Sequence, residues 1–458
     1  MPITMMRSKG EVPDEIKRDV KTTACKHIGD NNKVLPIDRA AHDWYRFVLS
    51  FPPHLVRDYL RRFGVGQGDC VLDPFCGTGT TLVECQKLGI ESIGVESNPM
   101  TCFASRVKVE WKVDPDGLRD HSTKVANYTL DRLEAEGIKD EEGLPFRCRD
   151  TGIASNLKTL PEDLSKLILR QSISPLPLHK TLVLIDSLSE HKDDKFYDHE
   201  RLALASAIVN RISNLHFGPE VGVSAPKSDA PVVSSWLGNV STMVRDLREL
   251  RKLRETSAIV LQADARELSG LLKPNSVSAV ITSPPYPNEK DYTRTTRLES
   301  VLLGFIQSKQ DLRLLKQNMV RSNTRGVYRD DEDDLMVADH EEINQIAEAI
   351  EKRRIELGKT SGFERLYARV TKLYFGGMAR HLKELRPVLR SGAQLAYVVG
   401  DQASYLRIMI RTGTLLADIA RSLGYEVMGI DLFRTRLATA TREQLREEVV
   451  LLRWPGKN

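Results

Sequence analysis

Apolar residues recur along this 458-residue chain in short runs that alternate with helix-like stretches, and the alternation breaks off in the middle. Residues 1–40 are polar and pattern-poor, as an arm or loosely attached extension would be. From His42 the chain turns apolar. Residues 54–63 predict a helix, 70–75 a strand, 80–88 a helix, 92–96 a second strand and 99–109 a further helix. This succession is the signature of a parallel sheet covered on both faces. Residues 114–256 interrupt it with helical segments and polar, proline-containing joints at 172–177 and 218–231. Strands resume at 258–264 and 278–282, followed by a helix at 297–305 and a long polar helical region. The expected close is a helix at 375–389, a strand at 394–400, a helix at 414–423 and strands at 426–433 and 449–454. There is no internal repeat and no low-complexity tract. The economical reading is one α/β sheet split by a large, mainly helical insertion. Its core halves are 41–112 and 257–458, its insertion is 113–256, and 306–370 forms a polar helical excursion.

Composition narrows the class. No apolar run approaches the length of a bilayer span, and the polar first residues lack a signal-peptide core, so an intracellular protein is expected. Cys25, Cys70, Cys76, Cys85, Cys102 and Cys148 form no CxxC pair and have no matching histidine spacing. Reduced, mostly buried thiols and no metal site follow. A net charge of +4 permits a nucleic-acid partner without demanding one. Arg245, Arg248, Arg251, Lys252 and Arg254 crowd one helical stretch, while Asp330, Asp331, Glu332, Asp333 and Asp334 form an acidic run. Both read first as solvated faces, with phosphate contact the alternative for the basic one.

The run Asp73-Pro74-Phe75-Cys76-Gly77-Thr78-Gly79-Thr80-Thr81 sits at the carboxyl end of the first strand, the edge where open α/β sheets bind ligands. Gly77 and Gly79 let the backbone turn sharply and approach a ligand without an intervening Cβ. Asp73 can accept hydrogen bonds from an ammonium or hydroxyl group. Glu96 ends the next strand, where a carboxylate commonly holds ribose hydroxyls. The third glycine of a dinucleotide fingerprint is missing, and no Gly-Lys-Ser/Thr follows for phosphate binding. A nucleoside-type cofactor remains one reading and a generic strand–turn–helix the other.

The run resembles the cofactor motif of the DNA amino-methyltransferases, Asp-Pro-Phe-x-Gly-x-Gly-Thr-Thr. Phe51-Pro52-Pro53 and its helix are similar to the element that packs on the methionine part of S-adenosylmethionine. Gly94-Val95-Glu96-Ser97-Asn98-Pro99 is similar to the ribose-binding segment. The resemblance implies a Rossmann-like class I methyltransferase sheet, mostly parallel with an antiparallel strand near the C-terminus. It implies a cofactor site at Phe51, Pro52, Asp73, Pro74, Phe75, Gly77, Gly79, Thr80, Thr81 and Glu96. Asp264 and Ala265 resemble the segment that faces the cofactor's adenine amine. Read locally, Asp264 is equally well a helix N-cap.

A second motif, Thr282-Ser283-Pro284-Pro285-Tyr286, follows a strand. A base amine is a poor nucleophile because its lone pair is delocalised into the ring. Acceptors that grip its protons favour a tetrahedral nitrogen, and the Ser283 hydroxyl and Pro284 carbonyl suit that task. The prolines rigidify the loop, and Tyr286 can stack on a base swung out of the duplex. This segment resembles the Ser-Pro-Pro-Tyr catalytic motif of the same family, with Ser283, Pro284, Pro285 and Tyr286 as its members. Serine at the first position points to cytosine N4 ahead of adenine N6.

In many serine-type members the catalytic motif comes first, whereas here the cofactor half leads. Circular permutation preserves the sheet but leaves target recognition open. Residues 113–256 are the first choice and 306–370 the second, with Asn323, Thr324, Arg325 and Tyr328 able to contact DNA or to form a polar loop. The resemblance implies double-stranded DNA as partner, a cognate restriction endonuclease, and a prokaryotic cytoplasm. An N6-adenine enzyme, an RNA base methyltransferase and a non-catalytic DNA-binding relative are the alternatives.

Overall fold

The structure, a computed structural model, describes residues 34–46, 50–140, 157–218, 220–288, 290–437 and 444–456. Its centre is a sheet of strands β1 (Cys70–Asp73), β2 (Glu91–Glu96), β3 (Ala258–Gln262), β4 (Val277–Thr282), β5 (Leu389–Gly400), β6 (Glu426–Leu437) and β7 (Gln444–Arg453). Their spatial order is β3-β2-β1-β4-β5-β7-β6. The first five run parallel, and β7 lies antiparallel between β5 and β6. The strand order reverses at β1, so the crevice between β1 and β4 is the switch point where such sheets take ligands. Asp73, Glu96 and Thr282 all end at that edge.

Local chemistry explains the elements. The central strands β1 and β4 are buried almost throughout, as parallel strands covered on both faces must be. Alternate residues serve opposite faces. Leu72 and Val280 join a cluster around Tyr374 and Phe375, whereas Val71 and Ile281 join one with Leu55 and Val398. Helix α1 (Pro53–Phe63) has proline in its first turn and ends on left-handed Gly64. Helix α2 (Thr80–Lys87) follows the glycine-rich turn. Helix α3 (Pro99–Val109) is capped by the Asn98 side chain, which accepts from the Met100 amide.

The insertion is mainly helical, with long helices at Pro115–Ala135, Pro175–Glu190, Tyr197–Ala207 and Val232–Leu250 and a short hairpin of Leu215–Phe217 with Val221–Val223. It shares one core with Trp44, Met100 and Phe103, so its packing is continuous with the sheet's own helices. The Trp44 indole donates to Asp246 at 3.0 Å, and the Trp236 indole to the Glu200 carbonyl at 2.9 Å. Residues 1–33, including Cys25, lie outside the described residues, as does Cys148. From Val34 onward the supposed extension is docked: Asp38 pairs with Arg57, and His42 bonds Glu84 at 2.8 Å. Cys76, Cys85 and Cys102 are buried free thiols and Cys70 is half-buried. Among the described residues no helix is long and apolar enough to cross a membrane.

Several expectations are corrected. The helix expected at 375–389 runs over Tyr367–Leu385, and a short 3-10 turn precedes β5. The chain at Asp333 packs directly against this helix at Gly376. A Cβ on Gly376 would collide with the Asp333 carbonyl. Pro387 has no amide hydrogen with which to continue the α-helical hydrogen bonding. The acidic run is only partly solvated. Asp331 pairs with Arg321 at 2.7 Å and Asp333 with Arg266 at 2.5 Å, all four side chains at most 10% exposed. The basic run is an exposed face whose Arg248 and Arg251 pair with Asp116 and Asp114. Asn323 and Thr324 are buried, and the Asn323 amide donates to the Lys290 carbonyl at 3.0 Å, so these two are closed to DNA.

Candidate active site

A cavity of about 350 Å³ opens at the switch point. From the glycine-rich side it is lined by Phe51, Pro74, Phe75, Gly77, Thr80 and Glu96; from the other by Ser283, Pro284, Pro285 and Tyr286; and between them by Asp264 and Ala265. Four expected site residues stand behind the wall. Pro52 is buried before α1, and Thr81 donates to the Ile281 carbonyl at 3.1 Å, tying α2 to β4. Asp73 is fully buried and accepts from Thr282 Oγ1 at 2.6 Å and the Phe75 amide at 3.2 Å. Burial pushes its carboxyl up to about 6, against the pull of those donors. Through Oδ1 it braces the turn against β4.

The two glycines differ. Both are left-handed, with φ of 52° at Gly77 and 82° at Gly79. A Cβ at Gly77 would point into open space, and this residue lines the cavity. At Gly79 it would collide with the Ser105 hydroxyl of α3. The close approach expected of Gly79 is thus to a helix, not to a ligand.

Glu96 receives the Gly77 and Asn98 amides, each at 2.8 Å, one on each carboxylate oxygen. Burial nevertheless raises its pKa to about 7. Asp264 accepts from the Arg266 amide at 2.9 Å in a tight turn with no helix behind it, so it is not a helix N-cap. Its oxygens are also gripped by the Arg266 guanidinium, which reaches on to Asp333. Beneath the cavity, His381 is buried, and its pKa is lowered by burial to about 4. A carbonyl only accepts, so His381 Nδ1 donates to Ala265 at 2.8 Å and Nε2 receives the Tyr397 hydroxyl at 2.7 Å. Its ring also meets Phe75 edge-on at 4.9 Å.

The Ser283 hydroxyl donates to the Val398 carbonyl at 3.1 Å. Its proton is committed to β5, and its lone pairs remain to accept. The Tyr286 amide donates to Tyr292 Oη at 3.0 Å and its phenol to Glu447 at 3.1 Å.

A family model described as DNA methylase, covering N6 and N4 methyltransferases, matches residues 17–105. The type II methyltransferase M.BsoBI of Geobacillus stearothermophilus is 25% identical over 450 residues, 91% of this chain and 84% of that protein. M.AvaI of Nostoc sp. is 22% identical over 441 residues, covering 90% and 86%. M.MjaII of Methanocaldococcus jannaschii is 35% identical over 108 residues, 22% of this chain and 20% of its own.

These matches support a DNA amino-methyltransferase family of the N4 and N6 types. The sheet is the Rossmann-like sheet of that class, and S-adenosylmethionine is the cofactor. The cavity fits such a molecule. Gly77 leaves space a Cβ would fill, a half-buried carboxylate stands at Glu96, and Met319 and Val320 give an apolar wall. Glu96 would hold the ribose, the Gly77 turn and Phe51 the methionine end, and Asp264, Ala265, Met319 and Val320 the adenine. Among the described residues no cluster of His, Cys, Asp and Glu is placed to hold a metal.

Sequence reasoning missed Asn318, Met319 and Val320, which the polar excursion brings to the wall, and Lys290 and Tyr292 beyond the catalytic motif. It also missed Phe433, Arg434, Arg436 and Glu447 on the late strands. Their charged alternation masked strands that run well beyond the expected ends. A register pairing Arg434 with Glu447 and Thr435 with Arg446 was the available signal.

Proposed function

We propose that this enzyme methylates the exocyclic N4 amine of cytosine in double-stranded DNA, on a base swung out of the helix into the cavity. The observation that carries the reading is the Ser283 hydroxyl, which lines the cavity while its proton is held by Val398. Such a group acts as an acceptor. Together with the Pro284 carbonyl it would take both amine protons, favouring the tetrahedral nitrogen whose lone pair attacks. Pro284 and Pro285 hold the loop in one direction, and the Tyr286 ring is the stacking platform. S-adenosylmethionine supplies, when bound, a methyl group on a positively charged sulfur. Serine at the head of the motif supports cytosine over adenine. Relatives named type II methyltransferases support a restriction–modification or defence role, with a cognate endonuclease as partner. Methylated DNA, digested to nucleosides and read by mass spectrometry, should contain N4-methylcytosine. N6-methyladenine would replace the base assignment, and transfer to RNA alone would overturn the DNA reading.

Glu96 as ribose acceptor has a pH consequence. Burial pushes its free-state pKa up to about 7, whereas accepting from ribose hydroxyls favours the charged carboxylate. Binding must therefore release a proton below that pKa. Cofactor affinity should be constant at alkaline pH and fall as pH drops through 7, approaching about tenfold per unit. Calorimetry across this range would show it, and Glu96→Gln should flatten the slope.

Target reading is assigned to the insertion, through its hairpin. Glu220, beside the hairpin strand Val221–Val223, raises the pKa of Lys290 against the lowering by burial, so its charge acts at the cavity mouth. Because the insertion shares its core with α3, removing 113–256 would unroof Met100 and Phe103 and confound the result. Exchanging residues 215–223 avoids this. It should change which sequences are methylated, with cofactor affinity within about twofold, since base readout and donor binding use different surfaces. Unchanged selectivity on sequenced methylated DNA would move recognition elsewhere.

A further inference from the structure

Glu447 lies on β7, directly opposite Gly400 of β5, and its two carboxylate oxygens have different partners. One accepts the Tyr286 phenol at 3.1 Å. The other receives the Arg434 guanidinium from the neighbouring strand β6. The Tyr286 ring also rests on the bare Cα of Gly400, where a Cβ would stand 3.0 Å from Tyr286 Cε2. Its backbone amide is fixed by the Tyr292 hydroxyl. The aromatic plane is thus held at its base, along one edge and at its tip.

We propose that Glu447, held by Arg434, is a positioning residue that sets the angle of the Tyr286 ring against the target base. This inference rests on the amine-methylation reading. A ring tethered only at Cβ would rotate and tilt in a half-open cavity, and stacking would have to order it anew with each base. The Glu447 tether removes that freedom before the base arrives. Burial and the adjacent carboxylate both hold the phenol pKa well above its ordinary value, so the phenol stays a donor throughout the working range. Glu447 acts through the ring that it holds.

The test is a coupled-mutation experiment on the full chain. Unmethylated plasmid DNA and tritiated S-adenosylmethionine are used under single-turnover conditions with wild type, Y286F, E447A, E447Q and the Y286F/E447A double variant. E447A and Y286F should each slow transfer by roughly tenfold. The double variant should be no slower than the worse single one, because both break one tether. E447Q keeps a carbonyl acceptor and should recover to within about threefold of wild type. Cofactor affinity by calorimetry should stay unchanged, which also reports on folding. Independent, multiplying losses, or wild-type rates in E447A, would overturn the inference. A wild type that transfers no methyl group to DNA would instead sink the parent reading. In that event fluorine NMR of 3-fluorotyrosine-labelled protein decides about Glu447. The Tyr286 signal, assigned by its loss in Y286F, should shift or broaden in E447A, and an unmoved signal overturns the tether.

Discussion

Ser283→Ala is expected to slow methyl transfer by roughly tenfold to a hundredfold, the equivalent of one lost hydrogen bond of about 1–3 kcal/mol in a water-poor site. The variant keeps the Pro284 carbonyl, so one amine proton is still gripped and activity is not abolished. It also loses the bond from Ser283 to Val398, but that carbonyl belongs to β5, whose pairing with β4 and β7 persists. Tyr286→Ala should be at least as damaging, since it removes the stacking surface and the group that Glu447 holds. Neither change should weaken S-adenosylmethionine binding, because both side chains stand on the opposite wall from Glu96 and Gly77. Single-turnover transfer of labelled methyl groups reads the first effect and calorimetry the second. Full activity in the Ser283→Ala, Tyr286→Ala double variant would remove the mechanism.

Loss of cofactor binding is the second large effect, and Gly77→Val and Glu96→Ala should both produce it. At Gly77 a side chain would enter the cavity from a left-handed backbone, which alone costs about 1–2 kcal/mol for an L-residue. At Glu96 the variant loses acceptors for the ribose, each charged hydrogen bond being worth about 1.5–3 kcal/mol. An affinity loss of roughly a hundredfold or more is expected for each. Gly79→Val is a contrasting control. Its Cβ meets Ser105, a fully buried residue of α3, so the expected result is a lower unfolding temperature. Near-normal calorimetric affinity in Gly77→Val and Glu96→Ala would remove the cofactor assignment.

The sheet's parallel strands were legible because their burial is written in continuous apolar runs, as at Val71–Leu72 and Val280–Ile281. The helix at Pro99–Val109 matched to the residue because a proline and a capping asparagine mark its start. What stayed hidden depends on partners distant in sequence. Asp331 and Asp333 look solvated until Arg321 and Arg266 reach them. Within the site, Gly79 carried the right motif but packs on Ser105, since a motif does not say which of its positions turn towards a neighbouring helix. Glu447 and Arg434 belong to no local pattern. They acquire meaning only when β6 and β7 pair, and that pairing is set by register.

The placement of β7 bears on how the protein is made. It is the last of the seven strands in sequence, yet it lies between β5 and β6, which do not pair with each other. While the ribosome is still translating, β5 therefore has an open hydrogen-bonding edge and β6 has no place in the sheet. Unpaired edges of this kind invite pairing with other chains. They close only when Gln444–Arg453 emerges and slots in, and the same event delivers Glu447 to Tyr286. A nascent chain could thus hold its glycine-rich turn and its catalytic loop well before the aromatic ring is aligned. Alignment of the ring would then wait until synthesis has passed β7.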